Sequence, residues 1–143
     1  IASIDTPYNR NEWDAIGKNG KFSRSKGASF ERWCVNQIKE NLGYSDLGAT
    51  FLKAGMDHAD IIIPDWSVEC KRYATATPSI IDEWWQQCVG SANGLHPVLI
   101  YKLDRRDPVC RVLMSVISED FAGSDHTADM SMDAWFYLVR ERV

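Results

Sequence analysis

The sequence holds no apolar run near the roughly 20 residues needed to cross a bilayer. Its densest apolar stretch, Ile61-Ile62-Ile63, is bounded by Asp60 and Pro64 and stops early. Paired cysteines are lacking too. Cys34, Cys70, Cys88 and Cys110 stand far apart, with no C-x-x-C pair and no histidine at zinc-finger spacing. That speaks against a structural zinc site or a disulfide framework. Each cysteine falls in an apolar or periodic segment, so buried free thiols are expected. Histidine is scarce: His58 reads as a loop residue without a ligand role, and His96 and His126 have no visible partner. There is no internal repeat and no low-complexity stretch. No charged region leads into a long apolar stretch at the N-terminus, so no secretory signal is expected and the protein reads as intracellular, in the cytoplasm. Ile1 is not a start methionine, so the loss of an upstream piece is an expectation.

The chain also lacks the positive excess of a general nucleic-acid coat protein, with a formal net charge of −4. The excess is local. Residues 117–143 hold six acids against Arg140 and Arg142, which accounts for all of it. Lys18, Lys21, Arg24, Lys26 and Arg32 fall within 15 positions whose single acid is Glu31. A basic segment of this kind can grip phosphate on an acidic protein, and it can equally be a solvated face.

What is present is enough for a real core: 143 residues, 45% of them hydrophobic, read as one domain over 1–143 with an N-terminal arm over 1–25. Periodicity predicts a helix from Lys26 to Leu42 closed by Gly43, and a short strand near Thr50–Lys53. Strands over 59–63 and 67–72 are joined by a tight turn at Pro64-Asp65. Thr77-Pro78-Ser79 opens a second helix that ends between Gly90 and Gly94. Strands follow at Pro97–Lys102 and Cys110–Val116, then a helical turn at Glu119–Ala122 and a last strand over Trp135–Val143. Strands interleaved with two good helices imply an α/β domain with a mixed sheet, in two or three layers.

Two places suggest chemistry. At 100° per residue, Glu31 lands in the middle of the apolar face formed by Phe30, Cys34, Val35, Ile38 and Leu42. A carboxylate there is expensive to bury charged and alone, so it meets a basic partner or a metal, unless the helix is rotated so that Glu31 escapes burial. In the hairpin, a two-residue turn sets Ile63 opposite Trp66, and Asp60 then faces Glu69. Lys71, two residues on, shares the face of Glu69. Two opposed carboxylates repel unless a cation lies between them. Oxygen ligands suit magnesium, which keeps several waters and uses few carboxylates. Such an ion acidifies a water and shields a phosphate, and a nearby lysine opposes the growing negative charge. In isolation an E-x-K on a strand is a surface salt bridge. With Asp60 nine residues upstream and Glu31 on the preceding helix, it reads as a phosphodiester-cleaving constellation.

These residues resemble a known family. Asp60 followed by Glu69-Cys70-Lys71 is similar to the PD-(D/E)xK nuclease superfamily, in which a carboxylate precedes an E-x-K strand. Lys26-Gly27-Ala28-Ser29-Phe30-Glu31-Arg32 resembles the first helix of archaeal-type and phage Holliday junction resolvases, and Pro97-Val98-Leu99-Ile100-Tyr101-Lys102 resembles their strand after the second helix. Ala59 stands where a proline usually precedes the aspartate, which removes no ligand. The resemblance spans residues 24–116. It implies a restriction-endonuclease-like fold, with a central mixed sheet flanked by helices, and a metal site of Glu31, Asp60 and Glu69, with Lys71 catalytic. It implies Mg2+ as the cation, with Mn2+ as a substitute. Gln87, at the edge of the second helix's apolar arc (Ile80, Ile81, Trp84, Trp85, Cys88, Ala92), matches a glutamine that some of these nucleases place near the reacting phosphate, while a backbone-bonding edge residue is the plain alternative. Trp84 and Trp85 read as core or dimer surface. The expected substrate is branched DNA, gripped by Arg24, Lys26 and Arg32. Two symmetric cuts imply a homodimer. The alternatives are a superfamily nuclease acting on ordinary duplex, and a catalytically silent DNA-binding module.

Overall fold

Two runs rich in β-branched residues fold back on each other at Pro64-Asp65. The turn sets Asp65 at a φ of +71°, in the left-handed region that aspartate tolerates and that follows proline in type II turns. The resulting strands are β1 (Ile61–Ile63) and β2 (Trp66–Arg72), paired antiparallel with Ile63 opposite Trp66 and Ile61 opposite Val68. That is the register expected from the two-residue turn. The computed structural model describes residues 23–44 and 60–142. Most of the expected N-terminal arm, the expected strand near Thr50–Lys53 and His58 lie outside the described residues.

Helix α1 (Ser23–Leu42) precedes the hairpin. It closes at Gly43, whose φ of +75° suits glycine and whose N–H donates to the Lys39 carbonyl at 3.0 Å. Helix α2 (Pro78–Gly90) follows β2, with Pro78 in its first turn and the Thr77 hydroxyl accepting from the Ile80 N–H at 3.2 Å. Strand β3 (His96–Lys102) returns parallel to β2, which requires the α2 crossover. Strands β4 (Val109–Leu113) and β5 (Thr127–Met130) add antiparallel, and helix α3 (Met132–Arg142) ends the described chain. Among the described residues, five strands lie in sequence order in one mixed sheet. This is the restriction-endonuclease-like α/β architecture that the resemblance implies.

Both faces of the sheet are covered, so three layers result. On one face Phe30, Cys34 and Ile38 of α1 and Trp135, Phe136 and Val139 of α3 pack on Val68, Val98, Ile100 and Val112. On the other, Trp84, Trp85 and Cys88 of α2 pack on Leu99 and Tyr101. Trp84 and Trp85 are therefore core, while Ile80, placed in the same arc by periodicity, is 40% exposed. No helix among the described residues is long and apolar enough to cross a membrane.

Three expectations are corrected. The segment Trp135–Val143 is helical. Met132, Trp135, Phe136 and Val139 bury one face at helical spacing, and Ser131 caps the helix through its hydroxyl to the Ala134 N–H at 3.1 Å. The strand expected to run to Val116 ends at Leu113, where a short 3-10 turn, Met114–Val116, begins. The strand Thr127–Met130 lies in a stretch read only as acidic. Its Asp129 accounts for part of that acidity, because Arg111 of β4 bonds both its oxygens at 2.7 and 3.2 Å.

Candidate active site

Asp60 sits immediately before β1, one residue beyond the last ladder pair. Its Oδ2 accepts the backbone N–H of Cys70 at 2.7 Å. The carboxylate thus takes the place of a ladder partner and is pinned against the middle of the Glu69-Cys70-Lys71 segment. Continuing the observed register by one residue sets Asp60 across from Glu69. Glu69 and Lys71 alternate with Val68 and Cys70, so they occupy the α2 face of the sheet. Leu99, the parallel neighbour of Glu69, belongs to the core under α2, and the Cys88 thiol bonds to the Glu69 backbone.

Glu31 comes from the opposite layer. The buried face of α1 is rotated from the one expected: Lys26 and Gln37 are buried, whereas Val35 and Leu42 are only partly so. Glu31 therefore lies at the margin of that face, half-buried, rather than at its centre. From there it interacts electrostatically with Asp60.

The electrostatics tie the three carboxylates together. Burial pushes Glu69 up to about 7, with Asp60 and Glu31 pushing the same way and Lys71 opposing. Burial also raises Asp60, against the Cys70 N–H and Lys71, and raises Glu31, with Asp60 adding and Arg32 opposing. Among the described residues no salt bridge neutralises any of the three. The charges are compressed into one place without a protein cation sufficient to balance them.

Among the described residues, no group of three His, Cys, Asp or Glu side chains closes around one point as a complete metal shell would. A hard cation that keeps its waters does not need such a shell; one or two carboxylates suffice. Asp60 and Glu69 meet that requirement: both are partly buried, burial raises the proton affinity of each, and the Asp60 charge raises that of Glu69 further. The donor set fits a divalent cation.

The other expected residues are scattered. Gln87 is exposed on α2, next to Cys88, with its carbonyl accepting the Ser91 hydroxyl. Arg32 is exposed beside Glu31, donating to the Ser29 hydroxyl at 3.2 Å. Arg24 lies in the first turn of α1, and its side chain is outside the described residues. Lys26 departs from expectation. It is 5% exposed, and its ammonium bonds Asp104 at 3.0 Å, so it is not part of an open phosphate-gripping face. The four cysteines are free thiols, as expected. Sequence reasoning missed Cys88 as the floor under Glu69, although its spacing from Trp84 marks it as inward. It also missed the Asp60 bond to a backbone N–H, which has no sequence signature.

Comparison with known proteins accords with this geometry. No curated protein and no solved structure matches the chain. The family model described as "Phage putative PDDEXK endonuclease" matches residues 22–136, a span that holds Glu31, Asp60, Glu69 and Lys71 and all five strands. The chain belongs to this phage PDDEXK endonuclease family.

Proposed function

We propose that the protein is a divalent-cation-dependent DNA endonuclease that cuts four-way junctions, with magnesium as its cation and manganese as a substitute. One observation carries the catalytic part of this reading: Asp60, pinned by the Cys70 N–H, and Glu69 are partly buried together beside Lys71 at the end of the β1–β2 hairpin, where burial raises the proton affinity of both and Asp60 raises that of Glu69 and Glu31 further. A binding module has no use for opposed carboxylates, whose repulsion would only weaken the fold.

Asp60 and Glu69 would hold the cation, and Glu31 would add a third negative charge from α1. A bound divalent cation supplies charge that shields phosphate and acidifies a water. Asp60 is held in place by the Cys70 N–H, so its position costs no reordering during the reaction. Glu69 must shed its carboxyl proton to serve as a ligand, which its value of about 7 permits near neutrality. Lys71 shares the Glu69 face and opposes the negative charge that grows on the phosphate, or orients the attacking water. Gln87 would approach the reacting phosphate from α2, and Arg24 and Arg32 would contact the DNA backbone along α1.

The junction reading is supported by the resemblance of Lys26–Arg32 and Pro97–Lys102 to junction resolvases, and paired cuts call for a two-fold dimer. The test is cleavage of a four-way junction, a linear duplex of equal length and a single strand, each with Mg2+, Mn2+ or chelator. The expected result is symmetric cuts in the junction that require the cation. Equal cutting of linear duplex would replace the junction by ordinary duplex DNA. Binding without cutting under every condition would leave a silent DNA-binding module.

A further inference from the structure

The sheet edge that carries the carboxylates also carries an assembly of cations. Strands β2 and β3 are parallel, with Lys71 beside Tyr101 and Arg72 beside Lys102, so the loops leaving both strands emerge together. Pairing continues beyond the strands: the Tyr73 N–H donates to the Lys102 carbonyl and the Asp104 N–H to the Ala74 carbonyl, both at 3.1 Å. Asp104 then gathers two buried cations on one oxygen, Lys26 Nζ at 3.0 Å and Arg72 Nη1 at 2.8 Å. Burial works against the Asp104 charge, yet these two partners hold its carboxyl below the usual range. A buried ion cluster is a poor source of stability compared with apolar packing. What this one does is positional. It joins the first turns of α1, the end of β2 and the β3–β4 turn into one unit.

That turn presents arginine. Arg105 holds a φ of +63°, a conformation that L side chains rarely adopt, and Arg106 follows it on the surface. Among the described residues the Arg106 side chain has no ion pair, unlike Arg111, which Asp82 and Asp129 neutralise. The clamp and the turn together bring four cations, Lys26, Arg72, Arg105 and Arg106, against two carboxylates, Asp104 and Asp107, on a chain whose net charge is −4. Lys26 lies five residues before Glu31, roughly 7.5 Å along a helix axis. Lys26 thus ties the turn to the helix that carries Glu31.

We propose that the β3–β4 turn is a phosphate clamp for the DNA strand being cut, with Arg106 contacting a backbone phosphate near the scissile one and with Lys26 and Asp104 as positioning residues. This rests on the endonuclease reading above. The turn carries no base-reading role, because phosphate contacts fix register without sequence information.

The experiment measures DNA binding at several salt concentrations, without divalent cation, for wild type, Arg106→Ala and the remote control Arg140→Ala. Single neutral methylphosphonates are placed within three nucleotides on either side of the mapped cut. Arg106→Ala should lower affinity and reduce the slope of log affinity against log salt by about 0.9, with the control unchanged on both counts. One methylphosphonate should weaken wild type and have no further effect on Arg106→Ala, while the others weaken both proteins alike. The Mg2+-induced shift in melting temperature should be the same in both. Because Arg106 is exposed, its loss leaves the fold intact; Lys26→Met tests positioning separately and should weaken binding with the slope preserved. A wild-type slope and an unchanged methylphosphonate profile in Arg106→Ala overturn the clamp alone. A wild-type protein that neither binds nor cuts DNA overturns the endonuclease reading and the clamp with it.

Discussion

Asp60 and Glu69 stand differently from surface acids because each is half-buried against a neighbour of like charge. Removing either charge should abolish cleavage and leave DNA binding intact or slightly tighter, since repulsion from phosphate is relieved. Asp60→Asn and Glu69→Gln, assayed for cutting and for binding in parallel, check this. Wild-type cutting by either variant would move the metal elsewhere. Glu31 offers a finer distinction because it sits at the margin of the α1 face rather than within it. Glu31→Gln should lower activity, with partial rescue by excess Mg2+, and should leave the melting temperature unchanged or raised. Lost stability without metal-dependent rescue would make it a structural ion instead.

Elements were read best where one periodicity dominated. The α1 and α2 helices and the β1–β2 turn carry caps and a turn signal that act within a few residues, so they are visible in the chain. Helix α3 is not visible in the sequence because Trp135-Phe136-Tyr137-Leu138-Val139 has the composition of a strand. Only its burial shows which residues share a face, and the short spacer after β5 conceals the cap at Ser131. This helix makes its own prediction. Trp135 is fully buried, packs edge-to-face on Trp66 with ring centroids 5.6 Å apart, and has no hydrogen-bond partner for its indole N–H. Trp135→Ala should therefore cost about 3–5 kcal/mol. Trp135→Phe should cost less than about half of that, because the ring contact survives and no hydrogen bond is lost. Chemical denaturation of both variants measures the difference. Equal losses would mean that α3 does not close the core.

At the scale of the molecule, the carboxylate site is a liability to the fold when no cation is bound. Glu69 is raised from its ordinary value of 4.5 to about 7, so the folded chain binds its proton more tightly than the unfolded chain does. Its contribution is fully present below about 4.5 and is lost as pH rises through about 7. Asp60 and Glu31 are raised as well and act with the same sign. Metal-free protein should melt at progressively lower temperature between pH 5 and pH 8 (roughly the window between the two values), and Glu69→Gln should flatten that decline. Mg2+ should stabilise wild type more at the alkaline end, where the ligands are already ionised. An identical pH profile for wild type and Glu69→Gln would show that Glu69 titrates normally in the fold.

The sequence alone determined what depends on neighbours a few residues apart: the α/β class, the hairpin register that faces Asp60 toward Glu69, and the placing of Lys71 on the Glu69 face. Those follow from strand alternation and a two-residue turn, which leave little freedom. The tertiary structure decided what depends on packing between distant segments. It rotated α1 so that Lys26 turned inward to Asp104, 78 residues away, and left Glu31 at the rim of the site. It chose helix over strand for the last segment, because only the open sheet face could take up its aromatic side chains. Neither outcome can be read from local pattern, since an ion pair or a buried face is fixed by what arrives from elsewhere in the chain.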